Sequence, residues 1–251
     1  MFSKKISEQI KKQAIKEYPN ECCGIIVKDE KGYKYIKCAN LAVDKVNDFA
    51  IDPDVLLTYD VKAVIHSHCD ENYPEPSGND IQSQKDCDII FGIIAVRTNK
   101  TTSEIMYFGD GIPDIELEGR EFRNGPSGTD NKGDCYALLK DYYKQKLGIK
   151  LPEFKRYNEW WKKGDNLYLD GFKDAGFIDV TKEIKSGGEI KEGDVGLLAI
   201  NSPVPNHCIV MISNKLMIHH LANRLSRKEP LGRWVKFVSN CLRYNKEGDS
   251  N

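Results

Sequence analysis

The chain has 251 residues, 40% hydrophobic and 30% charged, with 37 basic side chains against 38 acidic ones. That length accommodates one large domain or two ordinary ones, each with a buried core. A net charge of -1 excludes the basic balance of a nucleic-acid binder, and no run approaches the ~20 consecutive apolar residues that would insert into a membrane.

The polar N-terminus lacks the apolar region of a secretory signal. Ser3 caps a predicted helix with Ile6, Ile10 and Ala14 on one face, ending near Tyr18 and Pro19. Glu21 then leads into the apolar run Cys22 to Val27, a buried strand, and a turn at Asp29 to Gly32 joins it to a second strand, Tyr33 to Lys37. Val61 to Ile65 is a third strand, Asn79 to Lys85 a short helix, and Ile89 to Val96 a strong strand, with a weaker one at Glu104 to Phe108. From Gly109 to Lys132 the periodicity fails among Gly, Pro, Ser, Asp and Asn, the composition of a linker. Cys135, Leu138, Leu139, Tyr142 and Leu147 resume helical spacing, closed by Gly148. A second helix covers Asn166 to Ala175. Glu192 to Asp194 turns into a strand, Val195 to Ile200. His207 to Ile212 and Leu216 to His220 form a hairpin around Ser213 to Lys215.

Eight Cys without a secretory signal indicate reduced thiols of an intracellular protein. The five His, at 66, 68, 207, 219 and 220, fall in two groups. His66 and His68, two apart on a strand, point to one face. Asp80, at a helix start, supplies a third donor. Two imidazoles, a carboxylate and an open position suit catalytic zinc, which lowers the pKa of a bound water toward ~7. A carboxylate must then move protons, and Glu21 is charged at the head of a buried strand, where charge needs a reason. The bland alternative makes the His pair ordinary strand residues and Ser77 to Asp80 only a helix cap.

In the second group, Cys135 opens a helix behind Asp134, where the helix dipole favours thiolate. A base is needed, and His207 opens a strand downstream; His219 or His220, on the next strand, can orient it. A three-residue hairpin turn puts His219 on the face of His207. Alone, Cys135 reads equally well as a buried core thiol. The other seven Cys, and the Tyr142-Tyr143 and Trp160-Trp161 pairs, are read as packing or surface residues.

Glu21 in its Pro19-Asn20-Glu21-Cys22-Cys23-Gly24 context, His66-Ser67-His68 and Pro76-Ser77-Gly78-Asn79-Asp80 resemble the JAMM (MPN+) zinc metalloproteases over roughly residues 6 to 108. The resemblance implies His66, His68 and Asp80 as ligands of one zinc ion and Glu21 as general acid/base. Ser77 would orient or stabilise the tetrahedral intermediate. Cys69 departs from the family, where Pro is common, and its side chain is expected to point away from the His pair. Gly133-Asp134-Cys135, Gly193-Asp194, Asn206-His207 and Met217-Ile218-His219 resemble the NlpC family of papain-like cysteine peptidases, which cut peptidoglycan stem peptides, over about 117 to 242. That resemblance implies Cys135 as nucleophile, His207 as base and His219 as the orienting member, with backbone N–H groups at the helix start as oxyanion hole.

The two domains in this order, with Glu118 to Phe122, Asp134-Cys135 and Ile218-His219-His220, resemble phage tail-assembly proteins. The expected fold class is α+β in two domains. A JAMM-like mixed sheet flanked by helices fills 1–110, a linker 111–132, and a papain-like NlpC fold of helices and a small antiparallel sheet 133–251. The implied partners are peptidoglycan peptides and phage tail-tip proteins, with no nucleic acid and no membrane insertion. The implied location is the bacterial host cytoplasm during assembly and the virion tail tip. The competing readings are an assembly factor with vestigial catalysis, and a processing peptidase or isopeptidase acting on a protein.

Overall fold

The computed structural model describes residues 1–157 and 159–245. The chain divides into two compact units. The first comprises Met1–Pro76, Ser83–Pro113 and Gly128–Asp130, and the second Ser77–Gln82, Asp114–Ser127 and the described chain from Asn131.

In the N-terminal sheet, β1 (Cys23–Asp29) and β2 (Gly32–Cys38) form a hairpin, and Gly32, at φ +110°, adopts a conformation that favours glycine. β3 (Val61–Cys69) pairs antiparallel to β1 and parallel to β4 (Ile90–Val96), and β5 (Met106–Phe108) closes the order β2-β1-β3-β4-β5. The parallel pair requires a crossover, which contains α3 (Gly78–Cys87). α1 (Lys4–Glu17) is capped by Ser3, whose Oγ accepts from the Ile6 N–H, and buries Ile6, Ile10 and Ala14. α2 (Pro53–Thr58) starts at Asp52, whose side chain caps Asp54. The apolar runs in β1, β3 and β4 are nearly unbroken because both sheet faces are covered. Ile26, Ala63, Ile65, Ile94 and Val96 face α1, while Ile25, Val27, Val64, Phe91 and Ile93, with Met106 and Phe108 of β5, pack against Phe49, Ile51, Val55 and Leu56 on the other side.

The second sheet is antiparallel, ordered β12-β11-β10-β9-β13-β8. Its strands are β8 (Phe177–Asp179), β9 (Val195–Leu198), β10 (His207–Met211), β11 (Leu216–His219), β12 (Arg227–Pro230) and β13 (Val238–Tyr244). Alternation decides the faces. Cys208, Val210 and Ile218 pack with Cys135, Leu138 and Leu139 of α4 (Cys135–Tyr142), whereas Ile209, Met211 and Met217 pack with Leu198 and Trp234. α4 runs into a π-helical turn, Tyr143–Leu147, ended by Gly148 at φ +68°. α5 (Leu167–Asp174) and α6 (Thr181–Lys185) complete the helices. Tyr142, Tyr143 and Trp160 are core residues, as expected.

The expected α+β class and the expected N-terminal and C-terminal sheets are present. The sequence reading omitted α2, α6, β8, β12 and β13, which are short or carry few apolar residues. The stretch 111–132 holds more structure than a tether. β6 (Glu121–Phe122) pairs with β7 (Lys132–Gly133). The Arg120 guanidinium is fully buried, 2.6 Å from Asp141, 3.0 Å from Ser127 Oγ and 2.9 Å from the Ile115 carbonyl. Polar composition here reflects buried hydrogen bonding, which hydrophobic periodicity does not register.

Candidate functional sites

At the first site, the backbone pairing of β1 and β3 does the positioning. Cys23 lies opposite His66. The Ser67 N–H donates to the Cys22 carbonyl at 3.0 Å, and the Cys22 N–H to Ser67 Oγ at 2.8 Å. Continuing that register puts Glu21 across from His68, on the face of both imidazoles. Glu21 is buried and its backbone is clamped: its N–H donates to the Lys45 carbonyl at 2.6 Å, and Asn40 Nδ2 donates to its carbonyl at 3.0 Å. Phe49 stacks on the His66 ring at 4.2 Å and 15°, fixing its plane.

His66 Nε2 and His68 Nε2 stand 3.1 Å apart. Each of His66, His68 and Asp80 presents a ligand atom within 4.8 Å of the others. Two imidazole ligands at the ~2.0–2.1 Å bond lengths of tetrahedral zinc lie roughly 3.3–3.4 Å apart, so this donor set suits such an ion with little rearrangement. Asp80 is held in place by a reciprocal cap with Ser77: the Ser77 N–H donates to Asp80 Oδ2 at 2.7 Å and the Asp80 N–H to Ser77 Oγ at 3.1 Å. The Ser77 backbone N–H thus orients the carboxylate donor, and its hydroxyl oxygen caps the Asp80 backbone. Cys69 turns away, donating to the Asn20 carbonyl at 3.5 Å, and burial and the Glu21 charge push its thiol up to about 11.

At the second site, Asp134 caps α4. Its Oδ1 accepts from the Ala137 N–H at 2.8 Å, and its Oδ2 accepts from the Gly125 N–H at 3.0 Å and Arg156 Nε at 2.7 Å. That cap aims the first turn, and with it Cys135. Tyr168 Oη, from α5, is 2.8 Å from Cys135 Sγ. Burial alone pushes the Cys135 thiol up. Hydrogen bonding from Cys208, the charge of His207 and hydrogen bonds from His207 and Tyr168 outweigh it and hold the thiol well below its ordinary range.

His207 begins β10 directly after Asn206, whose side chain exchanges two hydrogen bonds with the Ile200 backbone, at 2.9 and 3.0 Å. Ile209 pairs with His219, so His207 and His219 share a face, and His207 Nε2 lies 3.1 Å from His219 Nδ1. His220 points to the opposite face, fully buried, with Phe122 edge-on at 5.3 Å. Of the two histidines left open by the sequence, His219 is the one beside His207. Burial pushes both His219 and His220 down to about 4. His219 Nε2 in turn meets Glu229 Oε1 at 2.6 Å.

Sequence reasoning missed Tyr168, Cys208 and Glu229. Tyr168 sits on a predicted helix with no local signal of its use, Cys208 reads as a packing thiol in its apolar strand, and Glu229 lies in the charged run Arg227-Lys228-Glu229.

Behind the thiol, Arg156 lies between Asp134 and Glu153, over the Tyr136 ring at 4.8 Å. Burial raises Glu153, but Arg156 and Lys140 overcome that and hold it down to about 2. The unfolded value is near ~4.3. A depressed folded pKa contributes stability that is complete above the unfolded value and lost as pH falls through the folded one. The gap in urea midpoint between wild type and Glu153→Gln is therefore expected in full at about pH 6 and to shrink from about pH 4 toward 2. A gap constant across that range removes Glu153 as the titrating group.

Residues 3–107 match the family of prokaryotic homologs of the JAB domain, and residues 119–241 match the NlpC/P60 family. The chain is 27% identical over 247 residues to Tail tip assembly protein K of Escherichia phage N15, covering 96% of this chain and 94% of that protein. It is 35% identical over 113 residues to Tail tip assembly protein K of Escherichia phage lambda, covering 45% of this chain and 51% of that one. A solution structure of a Desulfitobacterium hafniense protein, 22% identical, covers 43% of this chain and 83% of its own with a TM-score of 0.34.

Proposed function

We propose that this chain, a JAB-like domain joined to an NlpC/P60 domain, is a phage tail-tip protein with two peptidase sites that cuts peptidoglycan stem peptides locally during entry. It acts among tail proteins during assembly in the host cytoplasm and then at the virion tail tip. Residues 1–110 are the metallopeptidase part, 111–132 join the parts, and 133–251 are the cysteine peptidase. The observation that carries the reading is the Cys135, His207 and His219 arrangement at the start of a capped helix.

In the second domain, His207 takes the Cys135 proton, and the thiolate attacks the scissile carbonyl carbon. Backbone N–H groups at the start of α4 receive the oxyanion. As the C–N bond breaks, His207 returns the proton to the leaving amine, and water then hydrolyses the thioester with His207 again as base. His219 holds the imidazole in line.

In the first domain, His66, His68 and Asp80 would hold a zinc ion, which when bound supplies Lewis acidity and lowers the pKa of water. Glu21 receives and returns the proton in hydrolysis of a peptide or isopeptide bond. Ser77 keeps the Asp80 carboxylate aimed through its backbone N–H, and its hydroxyl would stabilise the tetrahedral intermediate.

Digestion of purified peptidoglycan by wild-type protein tests the reading. Soluble fragments are expected to appear, to stop after iodoacetamide treatment and to persist with a chelator, because the thiol site does the cutting. No release under any condition removes the peptidoglycan substrate. A second reading, an assembly factor with vestigial chemistry, is favoured by the names of the two tail tip assembly relatives. Phage carrying Cys135→Ala with His68→Ala that assemble and infect normally would select it.

A further inference from the structure

We infer that Glu229 is a positioning residue of the thiol site, the fourth member of a series Cys135, His207, His219, Glu229 that decides which nitrogen of His207 carries the hydrogen and which keeps the lone pair. The inference rests on the cysteine peptidase reading above.

The strand register makes the contact possible. On β12, Glu229 pairs with Met217, and its neighbour two residues back, Arg227, pairs with His219. Glu229 is thus a diagonal, same-face neighbour of His219, a separation of ~7–8 Å between backbones that a glutamate spans. Its Oε1 lies 2.6 Å from His219 Nε2, and the other nitrogen of that ring lies 3.1 Å from His207 Nε2. Trp234 stands edge-on to the His219 ring at 5.0 Å and limits its rotation.

Proton counting does the rest. Arg227, at 3.1 Å, and Arg233, at 3.7 Å, flank the Glu229 carboxylate. Burial raises Glu229, but hydrogen bonds from Arg227 and His219 outweigh it and keep it below the usual range. An ionised carboxylate only accepts, so His219 Nε2 carries the hydrogen. His219 is held neutral by burial and by the neighbouring His207, and a neutral imidazole has one N–H. His219 Nδ1 is therefore an acceptor and takes the His207 Nε2 hydrogen. That leaves His207 Nδ1 with the lone pair that faces the thiol. Without Glu229, the other tautomer of His219 donates to His207 Nε2 instead, and the basic nitrogen of His207 points away from Cys135. The other titratable or charged groups around this series include Tyr168, Cys208, Asp134 and His220 near Cys135 and Arg156 on Asp134.

The test follows alkylation of Cys135 by iodoacetamide across pH, read by mass spectrometry of the peptide that carries it, in the full-length protein. This reads thiolate formation without a substrate. In wild type, Cys135 is expected to react well below the pH at which an ordinary thiol, near ~8.5, ionises. Glu229→Ala is expected to move the midpoint up by about one pH unit or more. It is also expected to lower kcat on soluble muropeptides roughly 10- to 100-fold with KM changed less than about twofold. That is the scale of loss when the hydrogen bond fixing an imidazole tautomer is removed from metal-bound histidines. Glu229→Gln, whose amide oxygen still accepts, recovers most of both. Should Glu229→Ala unfold, Glu229→Met keeps side-chain length without the acceptor and carries the same expectation. A Glu229→Ala or Glu229→Met profile that overlays wild type overturns the inference. A wild-type Cys135 no more reactive than an ordinary thiol overturns the peptidase reading instead.

Discussion

Cys135→Ala is expected to lower peptidoglycan hydrolysis by about 10⁴-fold or more, with the fold intact. The size follows from the role. A nucleophile, its base and the residue that orients the base act as a unit, and removing the nucleophile leaves only what binding and the oxyanion hole supply. The fold survives because Cys135 ends a hydrophobic cluster shared with Leu138, Leu139 and Cys208, and an alanine there loses one sulfur atom. The α4 cap is made by the Asp134 side chain, not by the thiol. Release of soluble muropeptides, measured beside a thermal melt, checks both halves. Wild-type rates from a folded Cys135→Ala protein would remove the second catalytic site.

His68→Ala, or Asp80→Ala, is expected to abolish zinc binding at the first site. Wild-type protein dialysed against zinc is expected to hold one equivalent, and either variant less than about a tenth of that under the same conditions. Losing one of three protein ligands weakens a site by more than the roughly 10- to 100-fold that outer-shell changes cost. Glu21→Gln makes the discriminating comparison. The proposed role of Glu21 is proton transfer and not metal binding, so this variant is expected to keep its zinc while losing hydrolysis at the first site. Elemental analysis by mass spectrometry reads the stoichiometry directly. Wild type that binds no zinc after reconstitution, or variants that bind it equally well, would overturn the metal assignment.

Much of both sites was legible in the chain because strand periodicity is rigid. His66 and His68, two apart in an apolar run, had to share a face. A three-residue hairpin turn favours His219 on the face of His207, and the pairing of Ile209 with His219 decides between it and His220. Asp134 before a helical pattern announced its cap. Less was visible between Gly109 and Lys132, where buried polar contacts such as those of Arg120 leave no apolar rhythm to read.

By itself, the sequence determined the order of the two candidate sites, the side-chain types at each and the faces on which they stand, since these depend on local spacing and dihedral geometry. Only the tertiary structure decided which distant groups complete them. Tyr168 reaches Cys135 from 33 residues away. Glu229 meets His219 because a charged strand of no evident pattern adds to the edge of the sheet. Such neighbours are chosen by the packing of whole elements and by the need to pair buried polar groups, and neither is encoded in local spacing.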